Sequence, residues 1–339
     1  MIYVSGEILT IDGLEKGYLG FEKGIIVDKG KGACPKKPIA KGLIVPSFVN
    51  AHTHIGDSFI KNKNVKLPRN IEKLVAPPNG LKHKLLKKAT EKELIDGMEE
   101  SIVIMLKSGT KYFCDFREDG VVGICLLKTA LQLWNISSFI LSRPSDLLYD
   151  KNELDLLLKN SEGIGLSAIS DWDYSELQKV AKHTKSKNKI FAIHASERIR
   201  EDIDQILDLK PDFLVHMTKA NESDLIQTKE ANIPIVLCPR ANAFFNLKPN
   251  AKLIKKIGLD IVLGTDNAML NSPNIIDEMT YFKSQFKEYS LLEILKMTTY
   301  SPRKVLNLDG DILGLNSKAE FLVLDGETLK PLYNSIIKK

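Results

Sequence analysis

Short apolar runs alternate with amphipathic segments along most of this chain. From about residue 45 onwards there are eight apolar runs of strand length, and polar segments with helical spacing separate them. The runs lie at residues 43–51, 111–116, 137–142, 164–170, 189–195, 212–217, 233–238 and 260–265. Strands that alternate with helices indicate βα units and therefore a parallel sheet. Eight such units favour a (β/α)8 barrel of the TIM type, and an open doubly wound sheet is the alternative.

Capping residues mark the ends of the predicted helices. Thr90 with Glu93 has the spacing of a capping box, and Gly109 follows the helical pattern as a stop signal. Ser290 with Glu293 repeats the same spacing before another helical segment. The sequence therefore predicts helices that begin at these two boxes.

The two ends of the chain have a different pattern from its middle. The first 45 residues are short strand-like pieces separated by glycine, and strand-like pieces return after residue 307 as GDILGL and AEFLVLDG. We predict a small β-sandwich domain built from residues 1–45 and 308–339. The barrel, residues 46–307, is inserted between its two halves.

Composition and charge exclude several classes of protein. Of the 339 residues, 43% are hydrophobic and 27% are charged, as in an ordinary globular protein. The net charge is only +5, and the lysines are scattered among acidic residues without forming a basic cluster. The sequence therefore predicts no nucleic-acid partner. With no signal-peptide pattern and no long apolar stretch, we expect a cytoplasmic protein with no membrane partner. A small-molecule substrate remains as the expected partner, and the oligomeric state, including a homo-oligomer, is left open.

Side chains of the metal-binding type follow several of the predicted strands. His52 and His54 come after the first run, His194 and His216 end two later runs, and Asp266 follows the last. Because strand ends meet around the mouth of a barrel, we expect these side chains to converge. Imidazole and carboxylate suit zinc or ferrous iron, which lowers the pKa of bound water from 15.7 to about 7. Each residue alone has a structural explanation, as a chance pair, a core histidine or a turn residue.

Proton transfer needs a further group beside such a site. Glu197, three residues after His194, is a candidate proton carrier, and Asp266 can both contact the metal and accept the proton of water. His83 and His183 lie among lysines in helical or loop segments, and we expect both to be solvated surface residues.

Five motifs in order connect the chain to a known family. VPSFVNAHTH, IHASE, LVHMT, LCPRAN and LGTDNAMLNSP resemble the motif series of the amidohydrolase superfamily, in its branch of cytosine, guanine and adenosine-type deaminases and chlorohydrolases. The resemblance covers nearly the whole chain, because SGEILT and GLNSKAEFLVLD are similar to strands of the flanking β domain.

The resemblance implies the roles of the site residues. It implies one divalent metal ion, zinc in the first place and ferrous iron as the alternative, bound by His52, His54, His194 and Asp266. Glu197 is then the proton shuttle, and His216 orients the attacking water or the tetrahedral intermediate. Binuclear relatives take a carboxylated lysine from the end of strand four, where this chain reads AISDWDY, so one metal is favoured.

Three arginines bear on the substrate. Arg117, Arg143 and Arg240 each come just past a predicted strand end, and arginine binds carboxylate or phosphate in a fork. We expect them to contact an anionic or strongly polar substrate.

The sequence favours hydrolytic deamination of an amino-substituted N-heterocycle such as a purine or pyrimidine. The alternative is hydrolysis of a cyclic amide or a C–Cl bond by the same metal-activated water. A third hypothesis, from a different class, is a binding protein that keeps the barrel without catalysis.

Overall fold

A computed structural model of the chain describes residues 1–308 and 312–337. The fold is mixed α/β. The strands are β1 (Ile2–Leu9), β2 (Leu14–Glu22), β3 (Ile25–Lys31), β4 (Ala40–Pro46), β5 (Phe48–His54), β6 (Thr110–Arg117), β7 (Ser137–Ser142), β8 (Gly163–Leu166), β9 (Ile190–Ala195), β10 (Phe213–His216), β11 (Ile235–Leu237), β12 (Ile261–Leu263), β13 (Asp266–Asn267), β14 (Phe321–Leu324) and β15 (Pro331–Asn334).

Most of the helices lie between the strands of the middle region. They are α1 (Ile71–Leu74), α2 (Leu81–Leu86), α3 (Glu91–Lys107), α4 (Gly120–Leu131), α5 (Lys151–Asn160), α6 (Tyr174–Ser186), α7 (Ile203–Asp208), α8 (Glu222–Glu230), α9 (Pro239–Phe244), α10 (Ala251–Ile257), α11 (Ile275–Gln285), α12 (Leu291–Lys296) and α13 (Tyr300–Val305). Two 3-10 helices, Ile55–Asn62 and Ile169–Asp171, follow β5 and β8. The capping boxes predicted at Thr90 and Ser290 begin α3 and α12.

The central sheet is a curled parallel sheet of the TIM-barrel type. Its nine strands run in the order β12-β11-β10-β9-β8-β7-β6-β5-β13, and each of the eight predicted runs overlaps one of them. β13 follows β12 after two residues and pairs in parallel with β5. The two ends of the sheet therefore meet, which an open doubly wound sheet does not do.

Both termini contribute to a second, smaller sheet. Its six strands run in the order β15-β14-β4-β1-β2-β3, so β14 from the C-terminal part pairs directly with β4 from the N-terminal part. The predicted sandwich is not confirmed, because the described residues of both ends form this one sheet. Residues 309–311 and 338–339 of the predicted terminal domain lie outside the described residues.

Part of the predicted strand pattern in the C-terminal region was wrong. Residues 312–315, from the strand-like piece GDILGL, form no strand. Leu313 has a φ of 60°, in the left-handed region, and extended strand backbone cannot take that value.

A buried side-chain bridge joins the first and last strands of the central sheet. The Asn50 side-chain amide donates to Thr265 Oγ1 over 2.8 Å, and the Thr265 N–H points to Asn50 Oδ1 at 3.1 Å. Both side chains are fully or almost fully buried. The bridge stabilises the contact between the strand that ends in the two HxH histidines and the segment before Asp266.

The two histidines expected on the surface are largely covered, so that expectation was wrong. His83 is 9% exposed, and its Nε2 lies 3.0 Å from the Val75 carbonyl oxygen. The His183 side chain is also 9% exposed, with Nε2 3.0 Å from Asp155 Oδ1. Each imidazole packs its ring and keeps a polar partner, which neighbouring lysines in the sequence do not reveal. No described helix is long and apolar enough to cross a membrane.

Candidate active site

Four histidines and one aspartate meet at the C-terminal ends of the central strands. His52 and His54 are the last alternate residues of β5, and alternate residues of a strand point to the same face. His194 lies in β9, His216 ends β10, and Asp266 begins β13. Distant parts of the chain thus supply one cluster at the mouth of the curled sheet, as predicted from the strand ends.

The distances within this cluster fit a single divalent ion. His194 Nε2 lies 3.2 Å from His52 Nε2 and 3.4 Å from His54 Nε2. Asp266 Oδ1 lies 3.4 Å from His52 Nε2 and 3.6 Å from His54 Nε2. Ligand atoms placed tetrahedrally at about 2.1 Å from zinc lie about 3.4 Å apart. Three imidazole nitrogens and a carboxylate also form a donor set that zinc and ferrous iron accept.

His216 belongs to the same cluster by distance. Its Nε2 is 4.0 Å from Asp266 Oδ2, and donor atoms of His52, His194, His216 and Asp266 all lie within 4.8 Å of one another. Distance alone therefore allows two four-residue donor sets, one with His54 and one with His216.

Hydrogen bonds at the ring nitrogens that face away from the cluster distinguish the donor set with His54 from the donor set with His216. His54 Nδ1 lies 3.0 Å from Glu118 Oε1, and His194 Nδ1 lies 2.7 Å from the Leu166 carbonyl oxygen. Both partners accept, so each Nδ1 carries the proton and each Nε2 turns a lone pair towards the cluster. Metal-binding histidines commonly donate their other ring N–H to a carboxylate or a backbone carbonyl in this way.

His216 has the opposite arrangement. The Asn242 side-chain nitrogen lies 3.1 Å from His216 Nδ1 and 3.0 Å from Glu197 Oε1. An amide nitrogen only donates, so Nδ1 accepts and the neutral ring carries its proton on Nε2. That N–H faces Glu197 Oε2 at 3.5 Å. His216 is therefore suited to donate a hydrogen bond in the site rather than to bind a metal through Nε2.

The backbone is unusual at two of the site residues. His216 has a φ of 79° and Asp266 a φ of 59°, both in the left-handed region that side chains other than glycine seldom occupy. Such conformations cost of order 1–3 kcal/mol each and concentrate at functional sites. Here His216 ends β10 and Asp266 begins β13, and both side chains belong to the cluster.

Burial controls the protonation of the imidazoles. Burial lowers the pKa of His54 to about 3 and of His216 to about 4, and it lowers the pKa of His194 well below its usual value. The neutral form, which binds metal, is therefore the form present at neutral pH.

The two carboxylic acids of the site differ in charge. Burial alone would raise the pKa of Asp266, but the hydrogen bond from His52 and the nearby histidines lower it below its ordinary value. Burial and then the charge of Asp266 raise the pKa of Glu197 well above its ordinary value. Asp266 is thus a carboxylate at neutral pH, while Glu197 holds a proton that it can donate.

The three predicted arginines lie in different environments. Arg143 lines the pocket that opens above the cluster. Arg117 is buried beside it, with ion pairs to Asp115 at 3.3 Å and Glu118 at 2.6 Å. Arg240 is directed to Glu278 at 3.5 Å. Of the three, the structure brings only Arg143 into contact with this pocket.

The sequence analysis missed several polar residues around the cluster. Lys82, Glu118, Asn242 and Asn267 all contact predicted site residues or their partners. Asn242 in LCPRAN and Asn267 in GTDN lie within the recognised motifs, so their position was a usable signal. Lys82 lies in the lysine-rich segment LKHKLLKK, where nothing in the pattern separates it from surface lysines.

Comparison with known proteins assigns the chain to a family. Residues 43–338 match the model of the amidohydrolase family, so the chain belongs to that family and is a hydrolase of this class. The motif-based prediction of the family is confirmed.

Several curated proteins are related to most of the chain. An uncharacterized protein of Methanocaldococcus jannaschii is 39% identical over 318 residues, covering 87% of this chain and 82% of the relative. A putative aminohydrolase of Archaeoglobus fulgidus is 34% identical, covering 70% of this chain and 68% of the relative. A 5-methylthioadenosine/S-adenosylhomocysteine deaminase of Thermoanaerobacter pseudethanolicus is 26% identical, with coverages of 84% and 74%.

Solved structures share the fold at lower identity. Helicobacter pylori aminofutalosine deaminase in complex with methylthio-coformycin has a TM-score of 0.73 at 16% identity, covering 96% of this chain and 92% of that one. An adenosine deaminase from Xanthomonas campestris with bound zinc has a TM-score of 0.72 at 15% identity, with coverages of 96% and 84%. These similarities support the assignment of the fold.

Proposed function

We propose that this chain is a metal-dependent deaminase of amino-substituted N-heterocycles. The observation that supports the proposal is the donor set of three histidines and Asp266 next to a buried, protonated Glu197, at a pocket that His54, His194, Glu197 and Asp266 line. Relatives named as an aminohydrolase and as an adenosine-derivative deaminase agree with this chemistry.

The proposed metal ligands are His52, His54, His194 and Asp266. The Nε2 lone pairs of His54 and His194 and the ionised Asp266 support this set, and zinc is the proposed ion. A bound divalent ion would supply Lewis-acid activation of a water molecule at neutral pH.

The chain's own residues supply the proton transfers of the reaction. Asp266 accepts a proton from the attacking water, and Glu197 donates its proton to a ring nitrogen of the substrate. The Nε2–H group of His216 donates a hydrogen bond to the incoming oxygen and holds it against the ring carbon. A C–O bond then forms, Asp266 passes the proton of the water to the exocyclic amine, and the C–N bond breaks as ammonia leaves. The hydroxyl proton passes to Glu197 as the ring carbonyl forms, which restores both carboxyl groups.

The substrate of the proposed reaction carries an anionic or strongly polar group. Arg143 supports this, because it lines the same pocket as His194 and Glu197. Arg117 and Arg240 then form ion pairs with neighbouring carboxylates and do not bind substrate.

We also propose that the barrel spans residues 46–307. The four cysteines are free thiols, which agrees with a cytoplasmic location, and we propose that location for the protein.

Ammonia release tests the proposal directly. The zinc-loaded protein is assayed against aminated purines, pyrimidines, pterins and their nucleosides, with and without a carboxylate or phosphate group. We expect at least one compound to be deaminated, and we expect Glu197→Gln to keep its zinc but lose about 100-fold or more in kcat. Glu230→Gln, an exposed residue of α8, is the matched control and should keep full activity. Arg143→Ala should reduce the preference for the anionic members of the panel.

Three outcomes would contradict the proposal. If chloride or a ring-opened product appeared in place of ammonia, the site would belong to a chlorohydrolase or cyclic amidase. Full activity of Glu197→Gln would exclude the proton shuttle. A protein that takes up no divalent metal would be a binding protein with this fold.

A further inference from the structure

One lysine is completely enclosed at the wall of the pocket. Lys82 lies in α2 and is 2% exposed. Its Nζ lies 2.6 Å from Glu118 Oε1, 3.0 Å from Asn267 Oδ1 and 3.2 Å from Asp57 Oδ2. Asn267 Oδ1 accepts a hydrogen bond from the ammonium group, and the two carboxylates form ion pairs with it.

Two of these partners connect Lys82 to the proposed metal ligands. Glu118 Oε1 accepts from both Lys82 and His54 Nδ1, the latter over 3.0 Å. Asn267 accepts from Lys82 through Oδ1 and donates through Nδ2 to Asp266 Oδ1 over 2.8 Å. Each connection passes through one intermediate residue. A single ammonium thus holds a histidine from β5 and a carboxylate from β13.

Electrostatics requires a cation at this position. Glu118 and Asp57 are both buried, and a buried carboxylate without a partner costs several kcal/mol. Arg117 reaches the other oxygen of Glu118, Oε2, and leaves Oε1 to Lys82 and His54. Without Lys82, Asn267 Oδ1 would lose its donor and Glu118 Oε1 would keep His54 alone, so both side chains would be held less firmly.

We propose that Lys82 is a positioning residue of the metal site, which sets the orientation of His54 through Glu118 and of Asp266 through Asn267. The inference rests on the proposed metal site. It goes beyond that site because Lys82 contacts neither the four ligands nor the reacting atoms.

The test measures zinc affinity of the full-length protein by competition with a chromophoric chelator. Lys82→Met keeps the length and the burial of the side chain but removes all three donors. We expect zinc to bind about 10- to 100-fold more weakly, the usual effect of losing an outer-shell partner. Lys82→Gln keeps an amide donor and should therefore weaken zinc binding by a smaller factor. It also serves as the test if Lys82→Met does not fold.

Lys111→Met is the matched control. Lys111 is 5% exposed and donates to Asn135, but it is the second residue of β6, whose other end carries Arg117. This substitution also removes a buried ammonium, so it should lower the melting temperature while leaving the zinc affinity unchanged.

The outcomes separate the two proposals. If wild-type protein binds zinc and both Lys82 variants bind it equally well, the role of Lys82 is refuted and the metal site stands. The same conclusion follows if Lys111→Met weakens zinc binding as much as Lys82→Met does. If the wild-type protein binds no zinc, the proposed metal site is refuted, and the proposed role of Lys82 is refuted as well.

Discussion

Single hydrogen bonds decide which ring nitrogen carries the proton in three of the four site histidines. Glu118 and a backbone carbonyl hold the proton of His54 and His194 on Nδ1, whereas the Asn242 amide holds that of His216 on Nε2. The sequence by itself would allow each of these three histidines either to bind a metal or to donate a hydrogen bond. Tertiary contacts at the outer edge of each ring therefore determine which histidines are suited to bind metal and which is suited to donate.

Asn242→Asp tests this assignment at the scale of one atom. Aspartate has the same shape but no N–H donor, so Glu197 Oε1 should lose its hydrogen bond, the His216 proton should move to Nδ1, and the Nε2–H donor should be lost. We expect kcat on the best substrate to fall by about 100-fold, compared with about 10-fold for Asn242→Ala, with zinc content unchanged. Nitrogen-15 NMR of histidine-labelled protein should show the change of tautomer at His216.

A purely structural role of Asn242 gives a different ranking. The isosteric aspartate would then be milder than the cavity-forming alanine, and the His216 tautomer would be the same in both variants. That result would remove Asn242 and the donor role of His216 from the proposed mechanism.

At the scale of secondary-structure elements, the strand ends place the site. The apolar runs predicted the strands, and the polar residues directly after them reached the mouth of the sheet as expected. The positive φ values of His216 and Asp266 were not foreseeable, because Asp and His adopt them more often than most residues but still in a small minority of positions. The same holds for the bridge between Asn50 and Thr265, whose partners are 215 positions apart.

Gly264 permits a close approach between β5 and the segment that joins β12 to β13. A Cβ atom at this position would lie 2.7 Å from His52 Cβ and 2.8 Å from the His52 backbone nitrogen and oxygen. We expect Gly264→Ala to cost about 1–3 kcal/mol of unfolding free energy, because backbone cannot yield as a flexible side chain can. Chemical denaturation measures this, and zinc affinity should fall as well because His52 is displaced.

Gly326→Ala is the control for that substitution. An added Cβ there meets no atom within 4 Å, so stability and zinc affinity should both stay at the wild-type values. Equal effects at the two glycines would mean that close strand contact at His52 does not limit the site.

Considered as a whole molecule, the proposed metal site joins distant parts of the chain. Its ligands come from β5, β9 and β13, while the small sheet joins the two termini on another part of the molecule. A metal that binds these groups only when they are assembled must stabilise the folded state.

Removal of the metal should therefore lower the melting temperature. The stabilisation from a ligand present at 100 times its Kd is about 2.7 kcal/mol, so the shift is measurable by calorimetry. Adding zinc to the chelated protein should restore the original transition. An unchanged transition after complete chelation would show that the folded and unfolded chains bind zinc equally or that neither binds it.

The sequence by itself determined the order of strands and helices, the family and the residues able to bind a metal. These properties follow from hydrophobic periodicity and from residues next to one another in a motif, which are local along the chain. Tertiary structure alone decided that Lys82 is enclosed, that only Arg143 of the three arginines lines the pocket, and that Asn242 separates His216 from the proposed ligands. Those facts depend on residues far apart in the sequence that come into contact only when the chain folds, so a local sequence pattern cannot predict them.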